Sequence, residues 1–174
     1  MEKELGGIKV ATKSSSGNLT CGPQRKILAL DLGTKTGVAL KTSLSPPTLC
    51  LLDLSENGKF SNTGFRKFGN FLSKTIKDFS PTDCVVVEKA HVGKFFRSSE
   101  ILFGLSGIVR FCCEKKGIQP DFISALTIKK FWTGSGKSKK PAMLEQTRKS
   151  RPEISDHNVS DAYALLELFT KVRT

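Results

Sequence analysis

The chain has 174 residues, of which 38% are hydrophobic, so it is long enough for one compact domain with a sizeable core. No apolar run approaches the roughly 20 residues that a membrane span needs, and the first residues lack the apolar segment of a signal peptide. Lys and Arg outnumber Asp and Glu by 28 to 16, and the resulting net charge of +12 attracts polyanions. We therefore expect nucleic acid, and no membrane, as the partner.

The cysteines indicate a reducing compartment rather than a metal site. Their number, five, is odd, no Cys-x-x-Cys pair occurs, and there are only two histidines, so a structural zinc site has little support. We expect reduced thiols in a cytoplasmic or equivalent intracellular compartment, which is the host cytoplasm if the source is viral. The five are Cys21, Cys50, Cys84, Cys112 and Cys113.

The first 24 residues are rich in Lys, Ser, Gly and Thr and poor in large apolar side chains. Ordering them would cost more conformational entropy than burial returns, so we expect a flexible basic N-terminal tail at 1–24 and one folded domain at 25–174. Within the domain, apolar runs predict strands and helical spacing of apolar residues predicts a helix. The first predicted elements are strands at 26–31, 37–40 and 49–54, a helix at 65–79 and a strand at 83–88.

Helices dominate the second half. One is expected from a cap at Ser98 or Ser99 to about Lys116, where Gly117 ends it. The order of elements predicts an α/β layer arrangement with a mixed sheet, whose first three strands are antiparallel because their connections are too short for crossovers. The remaining elements are a weak strand at 121–123, a short helix at 125–132, a basic Gly/Ser loop at 134–140, and helices at 141–149 and 159–172.

Three acids interrupt or end apolar elements in separate parts of the chain. Asp31 stands in an apolar strand, Glu88 ends a run of three valines, and Asp161 lies in the first turns of the last helix. If the strands are neighbours and the helix packs across their ends, the carboxylates converge and repel one another. Bound Mg²⁺ removes that conflict, because a hard cation prefers oxygen ligands. Two such ions about 4 Å apart can activate a water and stabilise the departing oxygen in phosphodiester hydrolysis.

Each acid also has an interpretation without a metal. Asp31 could pair with a lysine or cap the following turn, and Glu88 could form a salt bridge with Lys89 or an arginine. Asp161 could be favoured only by the positive end of its helix dipole. Metal binding is the better hypothesis, because the alternative requires three coincidences.

Four segments carry motifs in order along the chain: Asp-Leu-Gly-Thr with a following Thr-Gly at 28–37, Val-Val-Val-Glu at 85–88, a Gly-x-Gly loop followed by lysines at 134–140, and Ser-Asp-Ala at 160–162. Together they resemble the RuvC group of Holliday-junction resolvases, within the ribonuclease H-like superfamily. The resemblance extends from about residue 26 to 172. It implies an α/β, ribonuclease H-like fold with a mixed five-stranded sheet flanked by helices.

The resemblance also implies that the three acids are catalytic and bind two Mg²⁺ ions per site, for which Mn²⁺ substitutes. The family has a fourth ligand, an acid or a histidine, at the position of Asn158, where this chain departs from the pattern. Its neighbours Asp156 and His157 are candidates to replace it, and we rank Asp156 first, then His157, then Asn158. Asn158 could instead cap the helix.

Two further groups are candidates for DNA binding. Lys129 and Lys140 fall where the family has basic residues near the scissile phosphate, and Lys137 and Lys139 add charge beside them, although an ordinary mobile, solvated loop is the alternative. The second group follows Glu88. Its two adjacent aromatic rings could stack on unpaired bases at a junction centre, or could be core or dimer contacts. It consists of Lys94, Phe95, Phe96 and Arg97.

The sequence thus predicts a homodimeric, Mg²⁺-dependent, structure-specific endonuclease that resolves Holliday junctions, with the helix at 99–116 near the dimer interface as the resemblance implies. Its small size and tail suit a phage or other viral source. The alternatives are a RuvC-like nuclease acting on other branched DNA or on RNA, and a catalytically inactive DNA-binding module. A phosphotransferase resembling sugar kinases, which share the Asp-x-Gly turn, would need a second nucleotide-binding domain that 174 residues cannot supply.

Overall fold

The computed structural model describes residues 25–42, 45–92 and 95–173, so the predicted tail at 1–24 lies outside the described residues. The described chain contains one five-stranded sheet with the strand order β3-β2-β1-β4-β5. The strands are β1 (Ile27–Asp31), β2 (Lys35–Lys41), β3 (Thr48–Asp53), β4 (Cys84–Glu88) and β5 (Asp121–Ile123).

The sheet is mixed, as the sequence predicts. The strands β1, β2 and β3 pair antiparallel in succession, which confirms the predicted hairpin, whereas β4 and β5 join in parallel. Strand β2 is longer than the predicted 37–40, because it pairs along both edges: Lys35 lies opposite Asp53 of β3, and Lys41 lies opposite Ile27 of β1. Backbone pairing on two sides extends the strand beyond its apolar centre.

Helices cover both faces of the sheet. They are α1 (Asn62–Thr75), α2 (Phe96–Glu114), α3 (Ala125–Thr133), α4 (Lys140–Arg148) and α5 (His157–Arg173). Because side chains alternate along a strand, Leu28 and Leu30 of β1 face a core formed with α1 and α2, whereas Ala29 faces a core formed with α3, α4 and α5. All three residues are fully buried. Helix α5 packs most extensively against β2 and β1.

Three helices differ from the prediction by two residues or more at one end or both. Helix α2 begins at Phe96 rather than after a serine cap, since Ser99 is buried inside it and its Oγ donates to the carbonyl oxygen of Phe95 at 3.4 Å. Helix α1 covers 62–75 instead of 65–79, although Ile76 and Phe79 remain in the core beyond its end. Helix α5 begins two residues earlier than expected because Asp156 caps it.

The helices in the described ranges are too short or too polar to cross a membrane. Four cysteines fall in these ranges, and no disulfide bond joins any two of them. They are Cys50, Cys84, Cys112 and Cys113.

Candidate active site

Two of the three predicted acids lie side by side at one edge of the sheet. Asp31 is the last residue of β1 and Glu88 the last residue of β4, and the two strands run parallel with Leu30 opposite Val87. Parallel neighbours end at the same edge, where open α/β sheets commonly bind ligands. Asp161 comes from the first turns of α5, and all three acids line a single cleft of about 490 Å³. The structure therefore brings together the three acids that the sequence singles out.

Gly37 determines how closely α5 approaches the sheet. It lies opposite Asp31 in the β1–β2 pairing. A Cβ atom on Gly37 would lie 1.9 Å from the carbonyl oxygen of Asn158 and 2.4 Å from its carbonyl carbon. Only glycine permits this approach of helix backbone to strand backbone. The close contact places the first turn of α5 beside the end of β1.

The turn between β1 and β2 forms another wall of the cleft and is held by Thr36. The side chain of Thr36 is fully buried. Its Oγ1 donates to the carbonyl oxygen of Gly33 at 2.9 Å, and it lies 3.3 Å from the backbone nitrogen of the same residue. Thr34, in this turn, accepts a hydrogen bond from the backbone of Leu54 at 2.8 Å. These bonds give the turn a fixed shape beside Asp31.

The three acids influence one another electrostatically. Burial, followed by the charges of Glu88 and Asp161, raises the pKa of Asp31 well above its ordinary value. Burial and the charge of Asp161 raise the pKa of Glu88 from 4.5 to about 6, although Lys129 and Lys140 oppose the rise. Burial likewise raises the pKa of Asp161, against the same two lysines. Three carboxylates in one cleft favour protonation or a bound cation.

The described residues supply no direct ionic partner for these acids. The salt bridges between described residues join Lys67 to Glu56 and Arg151 to Glu153, both away from the cleft. Oδ1 of Asp161 is buried and has no hydrogen-bond partner among them. Nor does any group of three or more His, Cys, Asp or Glu side chains within the described ranges have a spacing that could already hold a metal ion. The acids are thus close enough to interact without forming a closed coordination shell.

The three candidates for a fourth ligand occupy different places. Oδ1 of Asp156 accepts hydrogen bonds from the backbone N–H groups of Asn158 at 2.8 Å and Val159 at 3.1 Å, so Asp156 caps α5. The alternative that Asn158 caps the helix is therefore wrong, and Asn158 instead lines the cleft. Nδ1 of His157 is buried without a hydrogen-bond partner among the described residues. The charge of Asp156 nevertheless reaches the cleft, because it raises the pKa of Asp161 as a minor cause.

Two of the predicted lysines line the cleft. Lys129 comes from α3, and Lys140 is the first residue of α4. Lys137 and Lys139 lie on the segment that joins these helices and are not among the cleft-lining residues. That segment is tied back by a 2.6 Å hydrogen bond between the hydroxyls of Thr133 and Ser138.

Two cleft-lining side chains with basic groups were not selected as site residues from the sequence. Lys35 is the first residue of β2, four residues after Asp31, and His91 follows Glu88 by three residues. Their nearness in sequence to the two acids was the available signal. Both add basic groups to the rim of the cleft.

The aromatic pair stands apart from the cleft. The side chains of Phe95 and Phe96 are 75% and 83% exposed, which excludes the alternative that they belong to the core. They lie at the start of α2, and the next residue, Arg97, donates from Nη2 to the carbonyl oxygen of Phe60 at 3.3 Å. Lys94 lies outside the described residues.

No protein-family model matches the sequence, and no curated protein matches it. The structure is similar to that of Thermus thermophilus RuvC in complex with a Holliday junction substrate, with a TM-score of 0.64, 14% identity, and coverage of 82% of this chain and 90% of that one. A second Thermus thermophilus RuvC structure gives a TM-score of 0.64 and 12% identity, with coverage of 84% of this chain and 96% of that one. The yeast mitochondrial Holliday junction resolvase Ydc2 gives a TM-score of 0.52 and 12% identity, with coverage of 82% of this chain and 76% of that one. The chain therefore has the RuvC-like form of the ribonuclease H-like fold, as the sequence predicts.

Proposed function

We propose that this protein is a metal-dependent, structure-specific DNA endonuclease that resolves Holliday junctions by symmetric phosphodiester hydrolysis. One observation carries the proposal: Asp31, Glu88 and Asp161, from two strands and a helix, meet in one cleft that Lys129 and Lys140 also line. The RuvC-like fold and the net charge of +12 support it.

The donor set of the cleft fits divalent cations. Its acids supply only oxygen ligands, which Mg²⁺ prefers and Mn²⁺ accepts. The buried Oδ1 of Asp161, which has no hydrogen-bond partner among the described residues, has a lone pair to offer, and positive charge would relieve the mutual repulsion of the carboxylates. When bound, two such ions supply an activated water and neutralise charge on the phosphate and the departing oxygen. Among the candidates for a fourth ligand, we now place Asn158 before Asp156 and His157, because it lines the cleft.

Lys129 and Lys140 bind and orient the DNA phosphate in this proposal. Their ammonium groups oppose the rise in the pKa of Glu88 and Asp161, so their positive potential reaches the acids. A lysine near the scissile phosphate offsets the charge that develops there during hydrolysis. Lys137 and Lys139 contact neighbouring phosphates, which adds affinity that falls as salt rises.

Phe95 and Phe96 act on the branch point rather than on the cut strand. A soluble protein seldom exposes two adjacent large rings without a partner. Exposed aromatic rings stack on unpaired bases irrespective of sequence, and such bases occur where duplex arms meet. The basic side chain of Arg97 lies directly beside them in sequence. This arrangement would distinguish a junction from linear duplex.

The surface of α2 supports a homodimer. Phe103 and Phe111 are 50% and 61% exposed, and Gly107 lies between them at four-residue spacing on the same face. A Cβ atom on Gly107 would meet nothing within 4 Å, so the fold of the protomer does not require glycine there. Glycine inside a helix costs about 1 kcal/mol relative to alanine. Close packing against the same face of a second copy explains its presence, and two such sites would cut two strands symmetrically.

The direct test compares a labelled four-way junction with a linear duplex of matched sequence, each incubated with Mg²⁺ or with EDTA. We expect paired, symmetric nicks in the junction alone, which disappear in EDTA and in Asp31→Asn. Cleavage that persists in EDTA or in Asp31→Asn would contradict the metal mechanism. Cleavage only of other branched DNA or of RNA would show that the Holliday junction is not the substrate. Junction binding without cleavage would show that the protein is a catalytically inactive DNA-binding module.

A further inference from the structure

A single buried hydroxyl connects the three helices that surround the cleft. Thr147 belongs to α4 and is fully buried. Its Oγ1 accepts a hydrogen bond from Nε1 of Trp132 in α3 at 3.0 Å and lies 2.7 Å from Oγ of Ser160 in α5. It also donates to the carbonyl oxygen of Met143 in its own helix at 3.0 Å. One side chain therefore joins α3, α4 and α5.

The bonding capacity of this hydroxyl is used completely. A threonine hydroxyl has one proton to donate and two lone pairs to accept with. All three contacts are hydrogen bonds at once only when the proton goes to the carbonyl oxygen of Met143, and Oγ1 then accepts from both the indole of Trp132 and the hydroxyl of Ser160. Ser160 is also fully buried. A side chain of the same shape without the oxygen would leave two donors without their acceptor, and unsatisfied buried donors are costly.

The partners of Thr147 are near the cleft in sequence and in space. Trp132 follows Lys129 by three residues, and Ser160 directly precedes Asp161. Met143 lines the cleft itself, together with Lys140 from the start of the same helix. An aromatic contact strengthens the link between α3 and α5.

The aromatic contact joins Trp132 of α3 to Tyr163 of α5, whose rings meet edge to face with centroids 5.6 Å apart. The hydroxyl and the rings together set the spacing of the helices that carry the basic and acidic groups.

We propose that Thr147 is a positioning residue, whose hydroxyl holds Lys129, Lys140 and Asp161 in register without contacting DNA or metal. The inference rests on the proposed endonuclease function. Asp161 and the two lysines interact through their charges, so their separation affects how the cleft binds a cation and a phosphate. A shift of about 1 Å in such groups can lower a rate about 100-fold.

The experiment compares Thr147→Val, which keeps the shape and removes the hydroxyl, with Thr147→Ser, which keeps the hydroxyl. Trp132 is the only tryptophan of the chain, so a single indole N–H signal in a ¹H–¹⁵N spectrum reports on its hydrogen bond. The other measurements are the single-turnover rate of junction cleavage, the Mn²⁺ affinity by calorimetry, and the junction Kd in EDTA. Val109→Ala is the control, because it weakens the buried core on the α2 side and leaves α3, α4 and α5 intact.

We expect Thr147→Val to shift the indole signal upfield, to lower the cleavage rate about tenfold or more, and to weaken Mn²⁺ binding several-fold. The junction Kd in EDTA should stay within about twofold, since the exposed lysines that dominate affinity remain. Thr147→Ser should restore all these values. Val109→Ala should lower the Tm without changing the rate below the transition.

Two failures can be told apart. The positioning role is wrong if Thr147→Val displaces the indole signal but keeps the wild-type cleavage rate and Mn²⁺ affinity. It is also wrong if both values change no more than they do in the Val109→Ala control. If the wild type neither cleaves a junction nor binds Mn²⁺, the proposed endonuclease function is wrong, and the positioning role falls with it.

Discussion

The backbone of Asn158 touches the backbone at Gly37 so closely that a Cβ atom on the glycine would lie 1.9 Å from the Asn158 carbonyl oxygen. We expect Gly37→Ala to push α5 away from β2, because neither backbone can yield without breaking its own hydrogen bonds. The free energy of unfolding should fall by about 1–3 kcal/mol, as for other overpacked cores, and junction cleavage should be lost. Urea unfolding and a cleavage assay measure both effects.

Gly69→Ala is the matched control, since its Cβ would meet only Ile108 Cγ2 at an ordinary 3.7 Å. It should keep full activity and gain some helix stability. An active Gly37→Ala protein would contradict the role assigned to this contact.

The raised pKa of Glu88 predicts how stability depends on pH in EDTA. Its folded-state pKa of about 6 exceeds the ordinary 4.5, so its contribution to stability is fully present below pH 4.5 and is lost as pH rises through 6. Glu88→Gln removes that loss, because glutamine does not ionise. The change that it causes in the free energy of unfolding of the metal-free protein should therefore be about 1–2 kcal/mol more favourable at pH 8 than at pH 4.5. Urea unfolding at both pH values measures it. Equal effects at the two pH values would contradict the prediction.

Removing Lys140 should make metal binding more sensitive to acid. Its charge lowers the pKa of Glu88, Asp161 and Asp31. Lys140→Ala should therefore raise these three pKa values, so that a larger fraction of the acids is protonated near pH 6. We expect a weaker apparent Mg²⁺ affinity at pH 6.5, with a smaller difference from the wild type at pH 8.5. Calorimetric titration at both values provides the measurement.

Lys149→Ala, which removes a lysine that does not line the cleft, is the control. If both variants show the same pH dependence, the electrostatic link between Lys140 and the acids is refuted.

The exposed rings predict a loss of junction binding without loss of stability. Phe95 and Phe96 contribute little to the core, so replacing both by alanine should change the free energy of unfolding by less than about 0.5 kcal/mol. If each ring stacks on a base, junction binding should weaken by about 1–3 kcal/mol per base. Gel-shift titrations should show unchanged affinity for linear duplex. Equal losses on both substrates would indicate a general contact instead.

Gly107 tests the proposed dimer. Gly107→Glu places a charged side chain in open space on the protomer, so the fold should tolerate it. A buried, unpaired charge at a close helix contact is strongly unfavourable, and we expect sedimentation to show a monomer. Lys130→Glu is the control, because it places the same side chain at an exposed position of α3, away from α2, and should leave the dimer intact. A dimer that survives Gly107→Glu would locate the interface elsewhere.

The sequence predicted the parts of this fold that depend on local pattern. Asp31 and Glu88 were recognisable because a carboxylate in an apolar strand is costly, and both do end neighbouring parallel strands. The order of elements was sufficient for the layers and the mixed sheet. The family resemblance added the ribonuclease H-like topology, which short apolar runs alone do not determine.

The details that depend on tertiary contact were not predictable. Asp156 and Asn158 are both good caps in sequence, and only the position of the helix decides that Asp156 caps while Asn158 faces the cleft. Gly37 was predicted only as the start of the second strand and as part of the Thr-Gly motif, yet its importance comes from a helix more than a hundred residues away in the chain. Ser99 resembled a cap, but Phe95 precedes the helix.

Helix α5 has two tasks, since it supplies Asp161 to the cleft and much of the core beneath the sheet. The candidate catalytic set is therefore shared between the first strand and the last helix of the described chain. A chain still being synthesised, or one whose last helix has detached, lacks both an acid of the cleft and the α5 side of the core. In the proposed endonuclease, cleavage would therefore be reserved for the completely folded protein.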